Sequence, residues 1–124
     1  MNEDAPYYIK LEEREEYLYA LVGGEILSPR IAKMYWDQIA ERCKTLKKEK
    51  ILIEKDFIQG VSAPEILEMG VYLGSILAGK KIAFIDRHKN EGVNELGKVI
   101  ARNNGVQMRL FNNLEDAEKW IIGV

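Results

Sequence analysis

Histidine and cysteine occur once each among these 124 residues, and proline only three times. A lone Cys43 excludes an internal disulfide, and one Cys with one His falls short of a structural zinc site. Charge of neither sign dominates. Lys and Arg number 18, Asp and Glu 20, and the net charge is −2. That balance gives no electrostatic reason to expect nucleic acid. No apolar stretch reaches the roughly 20 residues that a membrane-spanning helix needs. The opening segment MNEDAPYY is acidic. It lacks the basic segment and apolar run of a signal peptide, so cytoplasmic residence is expected. Internal repeats, low-complexity tracts and linkers are also missing. One domain over residues 1–124 is expected, with 1–5 as a loose terminus.

What is present centres on KILIEKDFIQGVSAPEILEMGVYLGSILAGKKIAFIDR, from Lys50 to Arg87. Ile51-Leu52-Ile53 and Ile82-Ala83-Phe84-Ile85 are short apolar runs bounded by polar residues, as in strands buried on both faces. Between them, Pro64 to Gly79 carries only Glu65, Glu68 and Ser75 as polar residues, which predicts a helix buried almost all round. Ser62, Pro64 and Glu65 mark its start with a capping-box pattern. Gly79 and Lys80-Lys81 mark its end. Strand, helix and strand in this order imply a parallel, right-handed crossover.

The flanking segments extend the pattern. Tyr7 to Glu12 alternates like an edge strand, with Tyr7, Ile9 and Leu11 on one side. Tyr17 to Val22 is apolar throughout and pairs with it as a hairpin, ended by Gly23-Gly24. Ser28-Pro29 opens a helix to about Lys47, buried through Ala32, Tyr35, Trp36, Ile39, Cys43 and Leu46. A helix from about Gly92 to Asn103 turns Val93, Leu96, Val99 and Ile100 inward. Gln107 to Phe111 is a last strand. Asn112 and Asn113 cap a final helix docked through Leu114, Ala117, Trp120 and Ile121. The order β-β-α-β-α-β-α-β-α predicts an α/β domain with a five-stranded mixed sheet.

This order resembles the SpoIIAA-like family of STAS-type domains. Three stretches carry the likeness: the hairpin followed by GGEILSP, the unit LEMGVYLGSILAGKKIAFID, and the tail KVIARNNGVQMRLFNNLEDAEKWI. The resemblance covers nearly the whole chain. It implies a right-handed β-α superhelix and a regulatory role, with a phosphorylated Ser in an Asp-Ser-Ser-Gly-like motif after the third strand. Ser62 lies near that position here, in the setting Val61-Ser62-Ala63-Pro64-Glu65. The superfamily's likeness to CRAL-TRIO lipid-transfer domains implies an apolar pocket as an alternative.

Sites in α/β sheets gather beyond the carboxyl ends of the parallel strands. That rule points to a rim of Asp56, Phe57, Gln59, Asp86, Arg87, His88 and Asn112, for a ligand or partner. Asp56 and Asp86 could share a cation or proton if they face each other, and His88 could bind an anion or do acid–base work. A plain polar loop accounts for the same residues. Ser62 reads either as a phosphorylation or anion site or as a capping serine. Gly70 and Gly74 either pack the helix closely or leave a notch. Leu67, Val71, Tyr72 and Phe84 are the candidate lining of an apolar pocket. The sequence holds no nucleophile elbow and no paired metal ligands, so neither catalytic residues, metal nor cofactor are expected.

The expected function is a non-enzymatic regulatory or protein-interaction module. The alternative is a carrier or sensor of a small apolar or lipid-like ligand beside the Gly70–Gly79 helix. With the helices mainly on one sheet face, the other face needs a cover, and a homodimer or an apolar ligand is expected to supply it.

Overall fold

A computed structural model of the chain describes residues 6–123. The expected loose segment 1–5 lies outside the described residues. Nine elements follow in the predicted order: β1 (Tyr7–Glu13), β2 (Leu18–Ile26), α1 (Pro29–Leu46), β3 (Lys50–Gln59), α2 (Ala63–Leu77), β4 (Lys81–Asp86), α3 (Glu91–Asn103), β5 (Gln107–Phe111) and α4 (Leu114–Ile122). The strands lie side by side in chain order, β1-β2-β3-β4-β5. β1 and β2 form the antiparallel hairpin, and the other three pairings are parallel. No described helix is long and apolar enough to cross a membrane.

The larger core lies between the sheet and the first three helices. Strand residues Val22, Ile51, Ile53 and Ile82 meet helix residues Ile31, Tyr35, Ile39 and Leu73 there. Two-residue alternation sends Leu52, Ala83 and Ile85 to the opposite face, where α4 covers them with Ala117 and Ile121. The face left without a cover in the sequence reading therefore has one within the chain. The ground for inferring a second copy or an apolar ligand there is removed.

Several local expectations need correction. Gly23-Gly24 does not end β2, which runs on to Ile26. A Cβ on Gly23 would collide with the Tyr8 ring and come within 2.6 Å of the Asp56 carbonyl. Glycine here lets two neighbours close in on an uninterrupted strand. β3 likewise continues to Gln59, so Phe57 is not a rim residue but a fully buried core residue stacked on Tyr35. Glu54 and Lys55 look like the end of the strand in the sequence, although apolar residues recur at 51, 53 and 57.

Helix α2 is not buried all round. Ile66, Leu73 and Leu77 face the core, while Leu67 and Val71 are 55% and 50% exposed. On α3, Leu96 and Val99 are 37% and 44% exposed, and Ala101 is the fully buried position. On α4, Leu114 is exposed while Ala117 and Ile121 dock. The Gly70–Gly74 notch is filled by α3. A Cβ on Gly70 would collide with the Ile100 side chain, and one on Gly74 would come within 2.6 Å of the Asn104 carbonyl. Of the two expectations, close packing holds, and the partner is a helix: the glycines serve helix–helix contact.

Candidate functional site

The carboxyl ends of β3 and β4 carry two polar clusters, one on each face of the sheet. Register explains the division. Lys55 pairs with Asp86, and both point to the side covered by α1, α2 and α3; Glu54, Asp56 and Arg87 point to the α4 side, which is open at this rim, where Asp56 and Arg87 are partly exposed.

On the open side, Asp56 is the hub. The Tyr8 hydroxyl donates to its Oδ2 at 2.5 Å, the His88 ring meets Oδ1 at 2.8 Å, and Arg87 Nη1 lies 3.5 Å from Oδ2. Arg87 Nε also donates to Glu54 Oε2 at 3.1 Å, and Glu54 accepts from the Tyr19 hydroxyl. The Tyr8 hydrogen bond, with help from His88 and Arg87, holds the Asp56 carboxyl below its usual range against the opposing effect of burial. Burial, then the Glu54 carboxylate, push the Tyr19 phenol well up.

On the covered side, Lys55 and Asp86 form a buried pair. Their side chains are 4% and 3% exposed, with Nζ 3.5 Å from Oδ2. Asp86 also accepts from Asn90 at 3.0 Å, from Asn94 at 2.8 Å and from the His88 backbone N–H at 2.9 Å. Burial pushes the Asp86 carboxyl up. Lys55, Asn94, His88 and Asn90 together outweigh it and hold the group below the ordinary value. Burial pulls the Lys55 ammonium down, and Asp86 restores only part of the loss.

Of the predicted rim, Asp56, Arg87 and His88 come together. Asp56 and Asp86 do not face each other, because alternate strand positions send them to opposite faces. His88 links the two, with its backbone on one and its ring on the other. Gln59 ends β3 opposite Ile26, and Asn112 lines an open hollow with Asp86, Lys89 and Asn94. Ser62 is exposed at the start of α2, where Glu65 Oε1 accepts from its backbone N–H at 2.9 Å and its hydroxyl at 3.0 Å. Replacing Ser62 with Ala is expected to lower stability by roughly 0.5–2 kcal/mol. Urea unfolding measures it, and an unchanged midpoint would show that the cap contributes nothing.

Leu67, Val71, Tyr72 and Phe84 do not line one pocket. The first two face outward, the Tyr72 hydroxyl donates to Asp37 on α1, and only Phe84 borders the apolar cavity beneath α2 and α3. That cavity is about 50 Å³, well below the roughly 300 Å³ of a drug-sized ligand pocket. Cys43 is buried, and burial pushes its thiol up to about 11.

Lys55, Tyr8, Tyr19, Glu54 and Asn94 were missed as site residues. Lys55 had a legible signal, standing between Ile53 and Phe57 at a position whose alternation points inward. The tyrosines had none, since their partners are about 35 and 48 residues away.

Both carboxylates make the fold acid-sensitive. Their folded values lie below the unfolded ones, so their contribution is complete above the unfolded value, roughly pH 4, and is lost as pH falls through the folded value. Urea midpoints are expected to fall as pH drops below about 4, and less steeply in Asp86→Asn. A parallel decline in the variant would remove Asp86 as a cause.

No family model matches the chain, and no curated protein does. Among solved structures the chain is similar to an uncharacterized protein of the DUF3478 family with a SpoIIAA-like fold, from Shewanella loihica PV-4. The TM-score is 0.57 over 98% of both chains, at 15% sequence identity. The architecture is a SpoIIAA-like α/β fold, as the sequence resemblance implied.

Proposed function

We propose that the chain is a non-enzymatic protein-interaction module whose contact surface is the outer side of the α2–α3 pair. The observation that carries this is the exposure of four large apolar side chains, Leu67 and Val71 on α2 and Leu96 and Val99 on α3. They stand on either side of the seam where Gly70 and Gly74 bring Ile100 and Asn104 into contact. Single exposed apolar residues are ordinary, but several beside one seam are typical of a protein contact. The seam is tightly packed, so it presents this surface without rearrangement. Ser62 stands exposed at the amino end of the same helix, where an added phosphate would meet the Glu65 carboxylate and alter the end of the surface.

The rim supports the non-enzymatic part of the reading. Asp56, Asp86, Arg87 and His88 are all engaged by neighbouring side chains or backbone. A photo-crosslinking residue at Leu67 or Leu96, introduced in the native host, is expected to capture a discrete protein. The same residue at Glu115 on α4 is not. Equal capture from all three positions, or none from the first two, would overturn the reading.

A further inference from the structure

We infer that the cavity beside Lys55 is a binding site for a small neutral molecule with an apolar body and one hydrogen-bond acceptor. The site is independent of the α2–α3 surface, so either reading can fail alone.

The cavity lies between the sheet and the α2–α3 pair, and its walls are mainly apolar, including Trp36, Met69, Phe84 and Met108. Its volume is about 50 Å³. One water needs roughly 10–15 Å³ by this measure, so about three to five non-hydrogen atoms fit. The polar lining is Lys55, Asn94, Lys98 and the Tyr35 side chain, and the Lys98 charge is already met by Glu95. A few convergent polar groups in a mainly apolar hollow fix the orientation of what enters.

Lys55 selects the ligand's chemistry. Its ammonium has three protons. Its polar partners are Asp86 at 3.5 Å and Asn94 at 3.4 Å, both long for a charged hydrogen bond, and it stands 5.7 Å from the centre of the Phe84 ring. Donor capacity remains on a group that borders the cavity. Its charge, however, is already balanced by Asp86. An anionic ligand would place a second carboxylate near the first, whereas a ketone or ether oxygen accepts a proton without adding charge. The site therefore favours a neutral acceptor over an acid.

The test uses three methionines as reporters. Met69 and Met108 line the cavity, while Met34 is exposed on α1. Butanone is titrated into protein labelled with ¹³C at the methionine methyl groups. 2-Methyl-1-butene, of the same shape without the oxygen, and propionate serve as comparators. Butanone is expected to give saturable shifts at Met69 and Met108 and none at Met34, with propionate roughly tenfold weaker. In the paired variant Lys55→Met/Asp86→Leu, which leaves no unpaired charge, butanone should bind roughly tenfold more weakly and the alkene should not. Gly97→Leu should abolish binding of both. A Cβ there meets Ile66 no closer than 3.7 Å, and the residue borders the cavity, so a side chain can start there and competes for the space. The inference is overturned by absent saturation at the two methyl groups, by propionate binding as tightly as butanone, by equal response of butanone and alkene to the paired variant, or by binding that survives Gly97→Leu.

Discussion

Asp86→Ala is expected to cost about 3–5 kcal/mol of folding stability. Both members of the Lys55–Asp86 pair are nearly inaccessible to water, so removing the carboxylate leaves an ammonium buried beside an apolar cavity. It also leaves the side-chain amides of Asn90 and Asn94 and the His88 backbone N–H without their acceptor. A buried pair earns little when compared with well-packed apolar residues, because desolvation offsets most of the attraction. The paired variant Lys55→Met/Asp86→Leu is therefore expected to recover the part of the loss that comes from the unpaired ammonium, while the three donors that Asp86 accepted from stay without an acceptor. Urea denaturation of the three proteins decides the matter. A single variant within about 1 kcal/mol of the parent would mean that the Lys55 ammonium escapes to water when its partner is removed.

The second large effect concerns Phe57, whose ring is fully buried and stacked on Tyr35, with centroids 6.2 Å apart and planes 24° apart. Phe57→Ala is expected to cost about 3–5 kcal/mol, combining lost transfer energy with the cavity left behind. Its neighbour Asp56 provides the contrast. Its partners lie on the partly exposed face, where ion pairs contribute about 0–1 kcal/mol. Asp56→Ala should therefore cost far less than Phe57→Ala. Comparable losses would mean that the open-face network is much stronger than its exposure implies, or that the Phe57 site collapses around the missing ring.

These two residues also show how far the sequence could be read. Element order, the parallel core and the bounds of β5 were legible because they rest on local apolar patterns and caps such as Ser28 and Asn113. The ends of β2 and β3 were not. Glycines and charged residues there looked like punctuation, and only the approach of Tyr8 and the inward register of Lys55 and Phe57 explain why the strands continue. The role of α4 was also hidden. A helix of nine residues with one apolar stripe says that it docks, but not on which face of the sheet. The pocket proposed around α2 failed for the same reason. Composition made the helix apolar, and only packing separated its buried side from Leu67 and Val71. Within the site, the Asp56–Arg87–His88 grouping followed from the strand-end rule, whereas the division of Asp56 and Asp86 between opposite faces required the register.

The side-by-side strand order has a consequence for synthesis. Each parallel strand lies next to the one made just before it, so a chain growing from its amino end finds a template ready for every strand it adds. The underside of the sheet has no such luck. Leu52, Ala83 and Ile85 wait for α4, the element translated after all the strands. About sixty residues separate Leu52 from Leu114, which at roughly 5–20 residues per second leaves that apolar face unsheltered for about 3–12 s. The nascent protein is thus most prone to association on the side that is quietest in the finished fold, and a chaperone that recognises it would do so there.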